Sequence, residues 1–83
     1  MVEYAILTLY DRGNREIGDM ELPVKVQVKD LSVKLAATLR EMDPDRFSSI
    51  QNLKILYNDK VLEEEDTLYQ NGIWDGSKIR LMY

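Results

Sequence analysis

The sequence predicts one α+β domain in which a mixed sheet of four to five strands packs on a single helix. Short segments with alternating apolar and polar residues lie at both ends of the chain, and between them one segment has apolar residues at helical spacing. A chain of 83 residues is long enough for one compact core. Residues 1–83 are therefore predicted to form a single domain.

Two strands at the start of the chain are predicted to form a hairpin. The first covers Tyr4–Tyr10, which is short and rich in residues that favour strands. Residues 11–14 contain glycine and asparagine, which accept a positive φ at low cost and therefore favour a turn. The second strand covers Glu16–Leu22 and is followed by Pro23, which has no N–H to donate to a sheet.

A helix is predicted where the apolar spacing changes to steps of three and four residues. Gln27 is expected to cap its start weakly, and Pro44 disfavours the helical conformation at Asp43, so the helix should end near Met42. The apolar stripe consists of Val28, Leu31, Leu35, Leu39 and Met42. The connection over residues 43–52 is expected to turn Phe47 and Ile50 inward.

The last third of the chain is predicted to add the remaining strands. They are Leu53–Tyr57, a stub at Val61 and Leu62, and Lys78–Tyr83, joined by a turn at residues 58–60, an acidic loop at 63–66 and a turn bracketed by Gly72 and Gly76. Because strand side chains alternate between faces, one set should pack under the helix. That set is Leu7, Leu9, Met20, Leu22, Ile55, Tyr57, Ile79 and Leu81.

Composition argues against catalysis and against cofactors. The sequence has no cysteine and no histidine, which removes the common nucleophile systems and the usual zinc sites. Its four glycines do not have a phosphate-binding spacing. The acidic residues 63–66 lack the spaced ligands of a calcium loop, so a solvated loop is expected there.

Charge and hydropathy also narrow the partners and the compartment. The net charge of −4 and the scattered basic residues disfavour nucleic acid. No apolar segment approaches the roughly 20 residues that span a bilayer, and Met1–Tyr4 lacks the start of a signal peptide. A cytoplasmic protein that binds other proteins is expected; its oligomeric state is left open.

A family resemblance rests mainly on the C-terminal third. Lys54–Glu63, then Thr67-Leu68, Gly72-Ile73 and Lys78–Leu81, resembles ubiquitin in residue pattern, order and spacing, and the hairpin and helix fit the same order. The resemblance implies a β-grasp fold. Asp19–Pro23 and Gly72–Leu81 resemble the YukD/EsaB kind of small ubiquitin-like protein. Those proteins are cytosolic accessory components of type VII (ESX-like) secretion systems.

Conjugation, as in ubiquitin, requires a flexible tail that ends in two glycines. Here the sequence runs to Tyr83 inside the predicted last strand, without such a tail, as in the YukD/EsaB proteins. A non-conjugating adaptor is therefore expected. Two alternatives stay open: a protein modifier whose tail is missing, and a non-catalytic β-grasp subunit of a multicomponent oxygenase.

Six residues are candidates for protein binding. Alternation directs Leu56 and Met82 away from the helix, with Ile6 nearby, at positions that resemble part of ubiquitin's apolar recognition patch. Single exposed apolar residues are common, but several on adjacent strands favour an interface. Arg80 and Lys54 would flank the patch as rim charges or as solubilising residues. Trp74 would either pack half-buried at the domain edge, the more common outcome, or anchor an interface.

Overall fold

The structure, a computed structural model, describes residues 3–83. Met1 and Val2, which begin the segment expected to lack a signal peptide, lie outside these residues. A 3-10 turn lies between the last two strands, at Tyr69–Asn71. In chain order the main elements are β1 (Tyr4–Tyr10), β2 (Glu16–Pro23), α1 (Val28–Met42), α2 (Pro44–Phe47), β3 (Lys54–Tyr57), β4 (Lys60–Val61) and β5 (Lys78–Met82).

The five strands form one mixed sheet in the order β2-β1-β5-β3-β4. β5 runs parallel to β1, and Thr8 lies opposite Lys78, whereas the other neighbouring strands are antiparallel. The first and last strands are therefore parallel neighbours in the middle of the sheet, as the sequence predicts. One long helix across a mixed sheet of this order is the β-grasp fold, so the predicted fold is confirmed.

The core lies between α1 and one face of the sheet. Val28, Leu31, Leu35 and Leu39 of the predicted helix stripe are all buried. The strand residues predicted to face the helix belong to the same core. Two of them, Met20 and Tyr57, are only partly buried at its margin. The buried members of that set are Leu7, Leu9, Leu22, Ile55, Ile79 and Leu81.

The end of α1 departs from the prediction at Met42. This residue is 59% exposed, although the stripe places it in the core. The chain turns at Asp43, whose side chain accepts a hydrogen bond from the Arg46 N–H, and α2 begins at Pro44. Phe47 of α2 is then 1% exposed and packs in the core, so this short, unpredicted helix supplies the apolar side chain that Met42 does not.

The start of α1 is capped differently from the prediction. Gln27 occupies the cap position but makes no side-chain cap hydrogen bond, because its amide donates to the main-chain oxygen of Glu65. Main-chain oxygens of the acidic loop accept from the first helical N–H groups instead: Asp66 from Val28, and Glu64 from Lys29. The loop therefore satisfies donors that every helix start leaves free.

In the β3–β4 hairpin, β3 begins one residue later than predicted and β4 one residue earlier. Asn58 and Asp59 both have positive φ, at 52° and 64°, which suits a tight two-residue hairpin turn. The turn places Tyr57 opposite Lys60. Leu62, predicted to belong to the strand, is buried just beyond it and donates its N–H to Ile55.

Candidate functional site

Four of the six candidate residues lie side by side on the sheet face opposite α1. Lys54 of β3 pairs with Met82 of β5, and Leu56 pairs with Arg80. Val61 of β4 lies opposite Leu56 on its other side. Residues paired in this way point to the same face, so the five side chains form one surface, here called the outer patch.

Leu56 is less accessible than the sequence predicts. It faces away from the helix, yet it is 8% exposed, because it is flanked by Arg80 on β5 and Val61 on β4. A depression of about 350 Å³ lies above it. The lining residues are Tyr10, Asn14, Leu56, Asn58, Asp59, Lys78, Ile79 and Arg80. Leu56 is therefore an apolar part of a shallow depression, and its predicted exposure is wrong.

The exposed apolar surface of the outer patch comes from Met82, 37% exposed, and Val61, 46% exposed. Val61 is not among the six residues predicted from the sequence. A signal for it exists, because a two-residue turn at 58–59 forces residue 61 opposite residue 56.

Basic side chains surround this apolar surface. Arg80 forms an ion pair with Asp59, at 4.0 Å between Nη2 and Oδ1, and the Asp59 side chain is 94% exposed. An ion pair this open to water stabilises little. Lys54 and Lys78 are exposed on the same face. Lys54 on β3 lies opposite Met82, and Lys78 lies at the start of β5. The patch can therefore present positive charge around an apolar centre.

Ile6 does not belong to the outer patch. Its main chain bonds to the loop before β5, from Ile6 N–H to the Asp75 carboxylate at 2.7 Å and from Gly76 N–H to the Ile6 oxygen at 2.9 Å. Ile6 therefore lies two residues before the start of the β1–β5 pairing, whereas Met82 lies two residues beyond its last pair, Tyr10 and Arg80. The two are about 20 Å apart at ~3.3 Å per residue.

Trp74 lies near Ile6, away from the outer patch. Its ring packs edge-on against the Tyr69 ring, with 5.4 Å between the centroids, and Trp74 is 40% exposed. The Lys25 ammonium lies 4.8 Å from the centre of the Tyr69 ring. This partial burial against a neighbour agrees with the packing alternative for Trp74. Tyr69 is not among the residues predicted from the sequence, and no apolar periodicity around it indicates this packing against Trp74.

The carboxylate of Asp11, a buried residue, is held by hydrogen bonds within the protein. It accepts hydrogen bonds from the Gly13 and Arg15 N–H groups, both at 2.9 Å, and from the Arg46 guanidinium at 2.7 Å. The pKa of Asp11 is lowered from 3.8, chiefly by the Arg15 main-chain bond and then by the Arg46 side chain. These contacts favour the charged carboxylate and link the first hairpin turn to α2.

Metal-ligating side chains do not gather in groups of three or more within residues 3–83. Over the same residues, no helix has the length and apolar character that a membrane crossing requires.

Comparisons with known proteins give structural relatives alone. No protein-family model matches the sequence, and no curated protein matches it. The ubiquitin-like domain of the type VII secretion protein ECCD1 of Mycobacterium tuberculosis superposes with a TM-score of 0.75 at 20% identity, over 98% of this chain and 99% of that one. The EccD5 ubiquitin-like domain of Mycobacterium xenopi gives 0.78 at 11% identity, over 96% and 93%.

A third similar structure is much longer than this chain. It is a chain of the MycP5-free ESX-5 inner membrane complex, with a TM-score of 0.77 at 10% identity, and the match covers 95% of this chain and 20% of that one. At these identities the likeness shows the fold. The chain therefore has the ubiquitin-like β-grasp fold, and its structural neighbours include ubiquitin-like domains of type VII secretion systems.

Proposed function

We propose that this protein is a cytoplasmic, non-catalytic ubiquitin-like adaptor that binds partner proteins of a type VII secretion system and is not conjugated to them. The observation that carries the proposal is the likeness to two type VII secretion ubiquitin-like domains, over 98% and 96% of this chain. The resemblance of its sequence to the YukD/EsaB proteins supports the same system. The outer patch is its binding surface.

The outer patch suits a partner segment with an apolar residue beside an acidic one. The apolar residue would pack on the exposed side chains of Met82 and Val61 and lose its contact with water, which favours binding. The acidic residue would meet Arg80 or Lys54 on the rim. Arg80 can change partner at low cost, because its pair with Asp59 is long and exposed.

Tyr83, just after β5, packs against the rest of the protein. The Tyr83 ring packs edge-on against Phe47, with 6.2 Å between centroids, and the Arg12 guanidinium lies 5.4 Å from the centre of the Tyr83 ring. Arg12 also donates a hydrogen bond to the Tyr83 main-chain oxygen at 2.9 Å. Tyr83 is therefore held against α2 and the first hairpin turn.

The test is capture of secretion proteins from source-cell lysate by tagged variants. Met82→Glu and Arg80→Glu should each reduce capture of secretion-machine proteins strongly, because they place a negative charge at the patch and on its rim. Val33→Glu is the matched control, since Val33 is 69% exposed on α1, away from the sheet, and should capture as the unaltered protein does.

Several outcomes would contradict the proposal. Capture of an oxygenase component in place of secretion proteins would move the protein to the alternative class. Equal capture by Met82→Glu and by Val33→Glu would place the interface away from the outer patch. Higher-mass species in that lysate that are linked through residues at or after Tyr83 would overturn the non-conjugating part.

A further inference from the structure

The free edge of β2 is a second surface with its own chemistry. β2 is one of the two outermost strands of the sheet and has eight residues, whereas β4 at the other edge has two. An outer strand presents main-chain N–H and C=O groups that no neighbouring strand satisfies. A long edge of this kind can accept an additional strand from another chain.

The outward main-chain groups can be assigned from the neighbouring strand. Ile6 donates its N–H to Asp75 and accepts from Gly76, and Thr8 donates to the loop before β5, so both residues bond on the β5 side. In an antiparallel pair, residues opposite such positions also direct their main chain away from the partner strand. Those residues are Glu21, opposite Ile6, and Asp19, opposite Thr8. Their N–H and C=O groups therefore face the free edge.

Pro23 is consistent with this assignment. It lies opposite Tyr4, in the same alternation as Asp19 and Glu21, so its nitrogen also faces the free edge. Val24, the next residue, faces inward and donates its N–H to the Glu3 oxygen at 2.9 Å. A proline is tolerated in a sheet at an edge position where no donor is required.

The two faces beside this edge differ in polarity. On the face opposite α1, Glu16, Asp19 and Glu21 are exposed, and within residues 3–83 none of them takes part in an ion pair. On the α1 side, Ile17 and Met20 are partly buried and pack against the core. Alongside residues 18–23, where the pairing with β1 is regular, the side chains of an added strand would alternate between the acidic face and the apolar face.

We infer that the β2 edge binds an extended segment of a partner protein in which lysine or arginine alternates with apolar residues. The segment adds a sixth strand to the sheet. Its main chain bonds to Asp19 and Glu21, its basic side chains lie beside the acidic side chains, and its apolar side chains extend the surface of Met20 and Ile17. This surface is separate from the outer patch, so the inference stands independently of the proposed function.

Charge decides against a second copy of the chain as the occupant. Pairing two β2 edges would bring Glu16, Asp19 and Glu21 of both copies onto one face of a joint sheet. Like charges in cross-strand positions are destabilising, and charged edge strands oppose self-association. A basic strand meets the same groups with opposite charge, which also raises its rate of association.

The test uses two synthetic peptides as long as β2, eight residues, with lysine alternating with valine in one and glutamate alternating with valine in the other. Binding is followed by amide NMR and by hydrogen exchange. The lysine peptide should bind about tenfold or more tightly than the glutamate peptide, and should slow exchange of the Asp19 and Glu21 amides. Added salt should weaken this binding.

Two variants separate the inference from simpler explanations. Glu16→Lys/Glu21→Lys should reverse the preference in favour of the glutamate peptide, and Met82→Glu should leave it unchanged. Equal binding of both peptides would overturn the inference. So would lysine-peptide binding that leaves the Asp19 and Glu21 amides unprotected, because that result means charge attraction without strand addition. Protection of these amides in the peptide-free protein as its concentration rises would instead assign the edge to a second copy.

Discussion

At the scale of single residues, Asp11 ties two distant parts of the chain together. Its carboxylate binds the main chain of its own hairpin turn and the Arg46 side chain of α2, 35 residues later. The Arg46 side chain is 29% exposed and that of Asp11 is 12% exposed, so water screens this pair less than a surface pair. Hydrogen bonds to a charged group of this kind contribute about 1.5–3 kcal/mol each.

The stability of the protein should therefore depend on pH through Asp11. Because the folded state lowers the pKa of Asp11 below 3.8, its contribution is complete above that pH and is lost as the pH falls through the lower, folded value. Asp11→Asn should reduce the free energy of unfolding at neutral pH and flatten its fall under acid. Urea unfolding across this range measures both effects.

Glu41→Gln is the control for this prediction, because Glu41 is exposed on α1. It should leave the free energy of unfolding at neutral pH within about 0.5 kcal/mol of the unaltered protein. An Asp11→Asn protein that is as stable as Glu41→Gln at neutral pH would show that the contacts of Asp11 contribute nothing net.

Leu56 and Met82 should respond differently to the same substitution. Leu56→Glu places a carboxylate where the side chain is 8% exposed and should cost about 3 kcal/mol or more. Met82→Glu places it at a position 37% exposed and should cost less than about 1 kcal/mol. Thermal unfolding of the two proteins measures the difference, and equal losses would show that Leu56 is not covered as described.

The outward direction of Leu56 follows from sequence alone, but its burial does not. Alternation along β3 gives the face of a side chain, because neighbouring residues point to opposite sides. Exposure depends on which side chains stand beside it on β4 and β5, and those come from residues 61 and 80. For the same reason the separation of Ile6 from Met82 required the register of β1 against β5.

At the scale of elements, α1 shows what the local sequence pattern predicts and what it does not: it predicts where the helix begins and ends, but not how its start is capped. The bounds Val28–Met42 follow from apolar spacing and from Pro44, both of which act within a few residues. The cap at its start comes from main-chain oxygens of residues 64 and 66, more than 30 residues away in sequence. No local signal at Gln27 indicates that arrangement.

The helix face can be tested at Leu35, which is 2% exposed in the centre of the stripe. Leu35→Ala should lower the free energy of unfolding by about 2–5 kcal/mol, because it removes buried methyl groups and leaves a cavity. Lys34→Ala is the matched control on the exposed side of the same helix turn and should change stability by less than about 0.5 kcal/mol. Equal effects in urea unfolding would mean that the wrong face of α1 has been assigned to the core.

At the scale of the whole molecule, β5 joins two otherwise separate hairpins. β1 and β2 form one, β3 and β4 form the other, and β5 lies between β1 and β3. Ile79 and Leu81 of β5 are 1% and 0% exposed, so the central strand also supplies part of the core. A protein that ends at residue 77 should lack cooperative unfolding by circular dichroism, whereas one that ends at Met82 should retain it.

The position of β5 also has a consequence for how the protein is made. Thr8 and Lys78 are direct neighbours in the sheet but lie 70 positions apart along the chain. Contacts between such distant residues close a large loop before they stabilise the fold, which slows folding relative to a helical bundle of similar size. On the ribosome, the N-terminal hairpin emerges long before the strand it must pair with. The nascent domain therefore stays unfinished until Met82 has left the exit tunnel, and folding factors that bind exposed apolar strands can reach it throughout that interval.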